Sequence, residues 1–191
     1  MGREFELKFA ADIAAQAAIA EEFGGFETIA MQTTYYDTPG GDLSARRITL
    51  RRRMENGRSV CTLKTPSGGL GRGEWDMECD SIEVAAPVLC KLSNWTLTVF
   101  LANGLIPTCG AEFTRLARTL ELPQCTVEIA LDRGCLRGGN TEAPLCEVEV
   151  ELKSGSEEAA VAFAQALAQK HGLAPEYKSK FRRALALAKG E

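Results

Sequence analysis

Glu147-Val148-Glu149-Val150-Glu151-Leu152, running on into Lys153, alternates acidic and apolar residues over six positions. A period of two marks a β-strand, because successive side chains point to opposite faces. Glu147, Glu149 and Glu151 therefore share one face, and Cys146, Val148, Val150 and Leu152 share the other. The same split opens the chain, where Glu4, Glu6 and Lys8 oppose Phe5, Leu7 and Phe9. It returns in Glu74, Asp76 and Glu78, which alternate with Trp75, Met77 and Cys79. Arg51 and Arg53 form a cationic pair at the same spacing, Lys64 follows on the next strand-like segment, and Arg72 precedes the Glu74 ladder.

One such strand needs only a polar face in water. Several in one small chain need more, because like charges facing each other across paired strands repel. They call for cations between the carboxylates, or an enclosed anion opposite the arginines. The fold expected is α+β: a closed antiparallel β-barrel, or tunnel, with a charged lumen and an apolar outside, flanked by Ala-rich α-helices that otherwise lack a sheet to pack on. Facing carboxylates favour hard divalent cations such as Mg²⁺ or Mn²⁺, and facing Arg and Lys side chains hold phosphate oxygens. Metal with polyphosphate is the expected content of such a lumen.

Composition agrees with a folded domain. The 191 residues are 45% hydrophobic and 25% charged, so one domain spanning residues 1–191 is expected. Lys and Arg total 22 against 26 Asp and Glu, a net charge of -4, which argues against a bulk electrostatic partner such as nucleic acid. The seven cysteines form no CxxC pair, and their odd number leaves one unpaired in any internal disulfide scheme, so reduced thiols are expected. The charged N-terminus lacks the apolar core of a signal peptide, and no stretch of about 18 apolar residues follows. A soluble cytoplasmic protein with no membrane partner is the expectation.

Helical spacing of apolar residues predicts helices at Ile13–Phe23, Val84–Leu92, Val161–Leu167 and Phe181–Ala188, with Ser156 capping the third. Strands are predicted at Arg3–Phe9, Met31–Tyr36, Arg47–Met54, Ser59–Thr65, Arg72–Asp80, Thr126–Asp132 and Leu145–Lys153. Asn56-Gly57, Pro66-Ser67-Gly68-Gly69 and Gly138-Gly139-Asn140 read as turns between strand pairs.

In succession, these blocks resemble the CYTH superfamily of triphosphate tunnel metalloenzymes. Glu4-x-Glu6-x-Lys8 is similar to its ExExK motif in the usual N-terminal place. Tyr35-Tyr36-Asp37-Thr38-Pro39 with Leu43, Leu50-Arg51-Arg52-Arg53, Thr62-Leu63-Lys64 and Arg72-x-Glu74-x-Asp76 follow in family order. Phe113-Thr114-Arg115, the block from Glu128 to Gly134, the block from Cys146 to Gly155, and Ser179-Lys180-x-x-Arg183 resemble the rest. Three positions depart from the pattern: Asp76 stands for the usual Glu, Ala184 for a Gly and Ala111 for a Thr.

The resemblance implies an eight-stranded antiparallel tunnel. It implies divalent-metal carboxylates at Glu4, Glu6, Asp132, Glu147 and Glu149, with Glu151 facing the same lumen. It implies triphosphate-binding cations at Lys8, Arg51, Arg53, Lys64, Arg115, Lys180 and Arg183, with Arg72, Glu74 and Asp76 lining the tunnel. The Cys146–Gly155 block is most like the bacterial inorganic triphosphatases, which often carry a helical domain downstream. The implied activity is hydrolysis of tripolyphosphate to pyrophosphate and orthophosphate with Mg²⁺ or Mn²⁺. Thiamine triphosphatase, nucleoside or RNA triphosphatase, class IV adenylate cyclase and a non-catalytic polyphosphate or nucleotide sensor are the alternatives.

In that chemistry one metal bridges the triphosphate oxygens and a second, held by the carboxylate set to which Glu4 and Glu6 belong, orients and acidifies the attacking water, and Lys8 beside them either positions that water, accepts its proton or is a solvated structural charge. His171 precedes Gly172 at a helix end and reads as a partner for the helix dipole. Trp75 and Trp95 read as outer packing, and Tyr35 and Tyr36 as a strand end leading into the Pro39 turn. Arg46, Arg47, Arg52, Arg118, Arg133 and Arg137 read as surface charges.

Overall fold

The computed structural model describes residues 2–66, 72–93 and 102–191. In chain order the elements are β1 (Gly2–Glu4), β2 (Glu6–Ala10), α1 (Ile13–Phe23), β3 (Glu27–Asp37), α2 (Asp42–Ala45), β4 (Thr49–Glu55), β5 (Arg58–Pro66), β6 (Arg72–Glu78) and α3 (Ile82–Leu92). Then follow β7 (Ile106–Glu121), β8 (Cys125–Gly138), β9 (Thr141–Gly155), α4 (Glu157–His171), β10 (Ala174–Pro175) and α5 (Lys180–Lys189). The turn expected at Ser67–Gly69 and the packing expected of Trp95 lie outside the described residues.

All ten strands belong to one sheet, in the order β1-β6-β5-β4-β3-β7-β8-β9-β2-β10, and the neighbours pair antiparallel. The α+β fold with a large antiparallel sheet is as expected, while closure of the eight-stranded barrel is not confirmed, because no ladder joins the two edges of the sheet among the described residues. The reason lies at Phe5, which divides the N-terminal strand. Gly2–Glu4 pairs with β6, whereas Glu6–Ala10 pairs with β9. The two flanks are thus linked by covalent chain through Phe5, and the sheet curls around a lumen without hydrogen-bonded closure.

The hairpins follow from local chemistry. Asn56 and Gly57 have φ of 48° and 86°, the left-handed pair that a two-residue turn requires, and they join β4 to β5 with Glu55 opposite Arg58. The strand β7, 16 residues long, is absent from the strands that the sequence pattern predicts. Its Pro107, Gly110 and Leu116–Leu120 spacing hide the alternation that the pairings with β3 and β8 impose.

Outside the curl, two apolar layers hold the helices. Val127, Ile129, Leu131, Val148 and Val150 of β8 and β9 pack with Ile19 of α1 and Ala160, Ala164 and Leu167 of α4. Leu50, Cys61 and Leu63 of β4 and β5 pack with Ile82, Ala85, Ala86 and Leu89 of α3, and Trp75 lies against this layer, as expected. Burial of each large side chain here contributes about 1.5–3 kcal/mol. Ser156 caps α4 by accepting from the Ala159 amide at 3.2 Å. At the far side α5 packs through Ala184 against Ala111, Phe113, Leu136 and Leu145. All seven cysteines carry free thiols, and no helix among the described residues is long and apolar enough to cross a membrane.

Candidate metal and phosphate site

Because the Val and Leu faces of the strands are committed to the helices, the charged faces must turn into the lumen. They enclose a cavity of about 350 Å³ lined by Glu4, Glu6, Lys8, Arg51, Arg53, Lys64, Arg72, Glu74, Asp76, Arg115, Glu149, Glu151 and Lys180, among others. Asp132, Glu147 and Arg183, the remaining residues singled out from sequence, lie beyond the lining, where α5 meets β8 and β9.

The like-charge ladders are relieved by interleaved cations. The Arg115 guanidinium donates Nε to Asp132 Oδ1 and Nη2 to Asp132 Oδ2, both at 2.7 Å, and Nη2 also reaches Glu149 Oε2 at 2.5 Å. Lys180, first in α5, places Nζ 2.7 Å from Asp132 Oδ2 and 2.9 Å from Glu149 Oε1, and bonds Glu147 as well. Arg183, one turn on, bonds the other Glu147 oxygen. Asp132 and Glu147 are fully buried and Glu149 is nearly so.

At the opposite wall Lys64 bridges Glu4 and Glu74, the latter at 3.3 Å, and Arg51 stands 3.6 Å from Glu74. Lys8 donates to Glu6 at 2.8 Å. Asp76, one methylene shorter than the family's usual Glu, is held against the wall by Thr62, which donates to it at 2.6 Å. Arg72 is drawn to the Arg47 carbonyl at 2.9 Å and the Thr49 hydroxyl at 3.2 Å.

Burial and neighbouring charge set the protonation states. Burial opposes the Lys8 charge, yet Glu6 and Glu149 more than offset it, so its pKa rises. The Glu149 carboxyl is pressed upward by burial but held well below the usual range by Lys180, Arg115 and Lys8. Arg53, buried and repelled by Arg51 and Arg115, is pushed down to about 10. Burial raises Glu151 despite Lys153, which stands 3.0 Å away.

The carboxylates implied as metal ligands therefore divide. Asp132, Glu147 and Glu149 each bring one oxygen within 4.8 Å of the others. No other such group of ligands occurs among the described residues, and Glu4, Glu6 and Glu151 are engaged with lysines instead. An all-oxygen, buried set of three carboxyl groups suits Mg²⁺ or Mn²⁺. The Lys180 ammonium stands among these same oxygens and offsets part of their charge.

Some contributors carried no strand-level charge signal. The Phe113 ring lies under three cations, with Lys180 Nζ 5.3 Å, Arg53 Cζ 5.7 Å and Arg115 Cζ 6.0 Å from its centroid. Tyr35, read as a turn marker, is buried in the cavity wall against Phe181, their rings 5.0 Å apart. Asp37 does close the turn, accepting from the amides of Thr38, Leu43 and Ser44. His171 is away from the cavity and pins α4 to α1 through Glu22 at 2.7 Å. Among the arginines set aside as surface charges, Arg133 is exposed but donates to Gln16 from Nε at 3.2 Å and Nη2 at 3.1 Å.

A curled antiparallel sheet with this lumen has a family counterpart: residues 2–185 match the CYTH domain, and the chain belongs to that family. Among its relatives, the inorganic triphosphatase of Haemophilus influenzae is 30% identical over 166 residues, 82% of this chain and 47% of that protein. The chain thus spans about half the length of that relative. Among solved structures, a candidate adenylyl cyclase from Hippeastrum with a dominant triphosphatase activity superposes with a TM-score of 0.69 at 18% identity, covering 98% of this chain and 96% of that one. A Pyrococcus horikoshii protein superposes with a TM-score of 0.65 at 21% identity, covering 97% and 99%. These two likenesses concern the fold.

Proposed function

We propose that this chain is a divalent-metal-dependent triphosphatase that hydrolyses inorganic tripolyphosphate to pyrophosphate and orthophosphate. The carrying observation is the cavity, in which Lys8, Arg51, Arg53, Lys64, Arg72, Arg115 and Lys180 are gathered around one space with the acidic triad at its α5 end. Its lining is charged or hydroxylic apart from Val60 and Phe181, so a phosphate chain is provided for far better than a base or a thiazole ring. The triphosphatase relative at 30% identity supports the same reading.

Asp132, Glu147 and Glu149 would hold the cation. When bound, Mg²⁺ or Mn²⁺ supplies charge to the phosphate oxygens and acidifies a water. The protein's own share is positioning and electrostatics. Arg51 and Arg53 from β4, Arg115 from β7 and Lys180 from α5 surround the phosphate oxygens from three directions, where donors fixed in advance need not reorganise as charge shifts. Water attacks the terminal phosphorus, the bridging P–O bond breaks in line with its electron pair leaving on pyrophosphate, and the proton lost by the water passes to the phosphate oxygens or to solvent. Glu4 and Glu6 are placed to orient that water beside Lys8.

The test is parallel incubation with tripolyphosphate, ATP and thiamine triphosphate, with Mg²⁺ or Mn²⁺ and an EDTA control, resolving all products. Orthophosphate and pyrophosphate should appear from tripolyphosphate, vanish with EDTA and return with added metal. Cyclic AMP from ATP would make the chain a cyclase, and tight binding without product would make it a sensor.

A further inference from the structure

The strands β8 and β9 place Asp132 directly opposite Glu147, and both carboxylates meet the Lys180 ammonium where α5 covers the sheet. On the helix side of the same sheet stands Gln16, one turn into α1 and only 3% exposed. Its Nε2 donates to the Asp132 carbonyl at 3.0 Å and to the Glu147 carbonyl at 2.9 Å. Its Oε1 accepts both bonds from the Arg133 guanidinium. Every polar atom of the side chain is used, and two carbonyl acceptors on one nitrogen fix which end is the amide NH₂. The helix cannot turn away. Asp12 caps α1 by accepting from the Ala15 amide at 2.7 Å, and Ile19, one turn on from Gln16, is fully buried in the layer over β8 and β9.

We infer that Gln16 is a positioning residue for the acidic triad: it clamps the Asp132 and Glu147 backbones from behind and so sets the spacing of their carboxylates for a divalent cation. The inference rests on the reading of Asp132, Glu147 and Glu149 as metal ligands. A side-chain amide is suited to this task. One planar group with two hydrogens ties two peptide carbonyls together, and the Arg133 fork fixes its plane. Residues that orient ligands without touching the metal commonly alter its affinity about 10–100-fold.

The test is Mn²⁺ binding, followed through the electron paramagnetic resonance of the free ion, with melting temperature measured alongside. Four proteins are compared: wild type, Glu147→Gln, Gln16→Met and Arg133→Met. Gln16→Met keeps length but removes all four bonds, and should raise the Mn²⁺ Kd about tenfold. Arg133→Met only releases the clamp's far end at an exposed position, and should weaken Mn²⁺ binding in the same direction by a smaller factor. It also decides the matter if Gln16→Met fails to fold. Wild-type Mn²⁺ affinity in the folded variants, with a lowered melting temperature alone, would reduce Gln16 to a structural hydrogen bond and overturn the inference. If wild type binds no Mn²⁺, or Glu147→Gln binds it equally well, the metal reading itself falls and takes the inference with it.

Discussion

Lys8 shows how one side chain's role depends on what surrounds it. On sequence it could hold a water, take its proton or stand idle. In the lumen its ammonium is bonded to Glu6 at 2.8 Å, and its pKa lies above the ordinary lysine value because Glu6 and Glu149 outweigh burial. A proton held more tightly than usual suits a fixed positive charge. Lys8→Ala is therefore expected to raise the KM for tripolyphosphate several-fold while kcat changes by less. Steady-state kinetics would check this, and a collapse of kcat at unchanged KM would restore proton transfer to Lys8.

The element that decides the triad's surroundings is α5. It brings Lys180 and Arg183 onto Glu147, whereas its apolar spacing reads as a closing helix and the family resemblance marks those two residues as phosphate-binding cations. It seats closely because Gly138, at the end of β8, has no side chain. A Cβ there would lie 2.3 Å from the Ala184 carbonyl and 2.4 Å from the Ala188 amide nitrogen. Ala184, where the family often has Gly, is fully buried against the same wall. Gly138→Val should therefore lift α5, cost about 1–3 kcal/mol of stability and depress triphosphate turnover more than that loss explains. Thermal unfolding and turnover measured on the same sample would test it, and unchanged turnover would show that α5 tolerates displacement.

Across the whole molecule the apolar layers outside the sheet set a pH limit. Cys61 on β5, Cys90 on the buried face of α3 and Cys109 on β7 are each pushed up to about 11 by burial. An acid whose folded pKa exceeds its unfolded value, about 8.5 for a thiol, binds more protons in the folded state across that interval. Stability should hold below about pH 8.5 and fall as pH rises from there towards 11. Urea unfolding at pH 7, 9 and 10 would reveal the decline, and replacing Cys61 and Cys90 with Ala should flatten it. A native-state thiol titration at pH 8 should find these cysteines slow to react, since little thiolate is present.

What the residues alone determined is the local half of the design. The period-two charge ladders identified four of the strand regions that carry the candidate site, and their inside-out character called for an enclosed lumen, because that information lies in the spacing of neighbours along one chain. Asn56-Gly57 and Ser156 announced their turn and cap for the same reason. The tertiary structure alone decided which charges meet. It separated Asp132, Glu147 and Glu149 from Glu4, Glu6 and Glu151, put Lys180 among the first three, set Phe113 beneath three cations and brought Gln16 behind Asp132 and Glu147 from 116 and 131 residues away. It also showed β7 as a strand and left the sheet unclosed at Phe5. Those outcomes depend on strand order, register and helix seating, which are fixed by burying apolar faces over long sequence separations and leave no mark on any single segment.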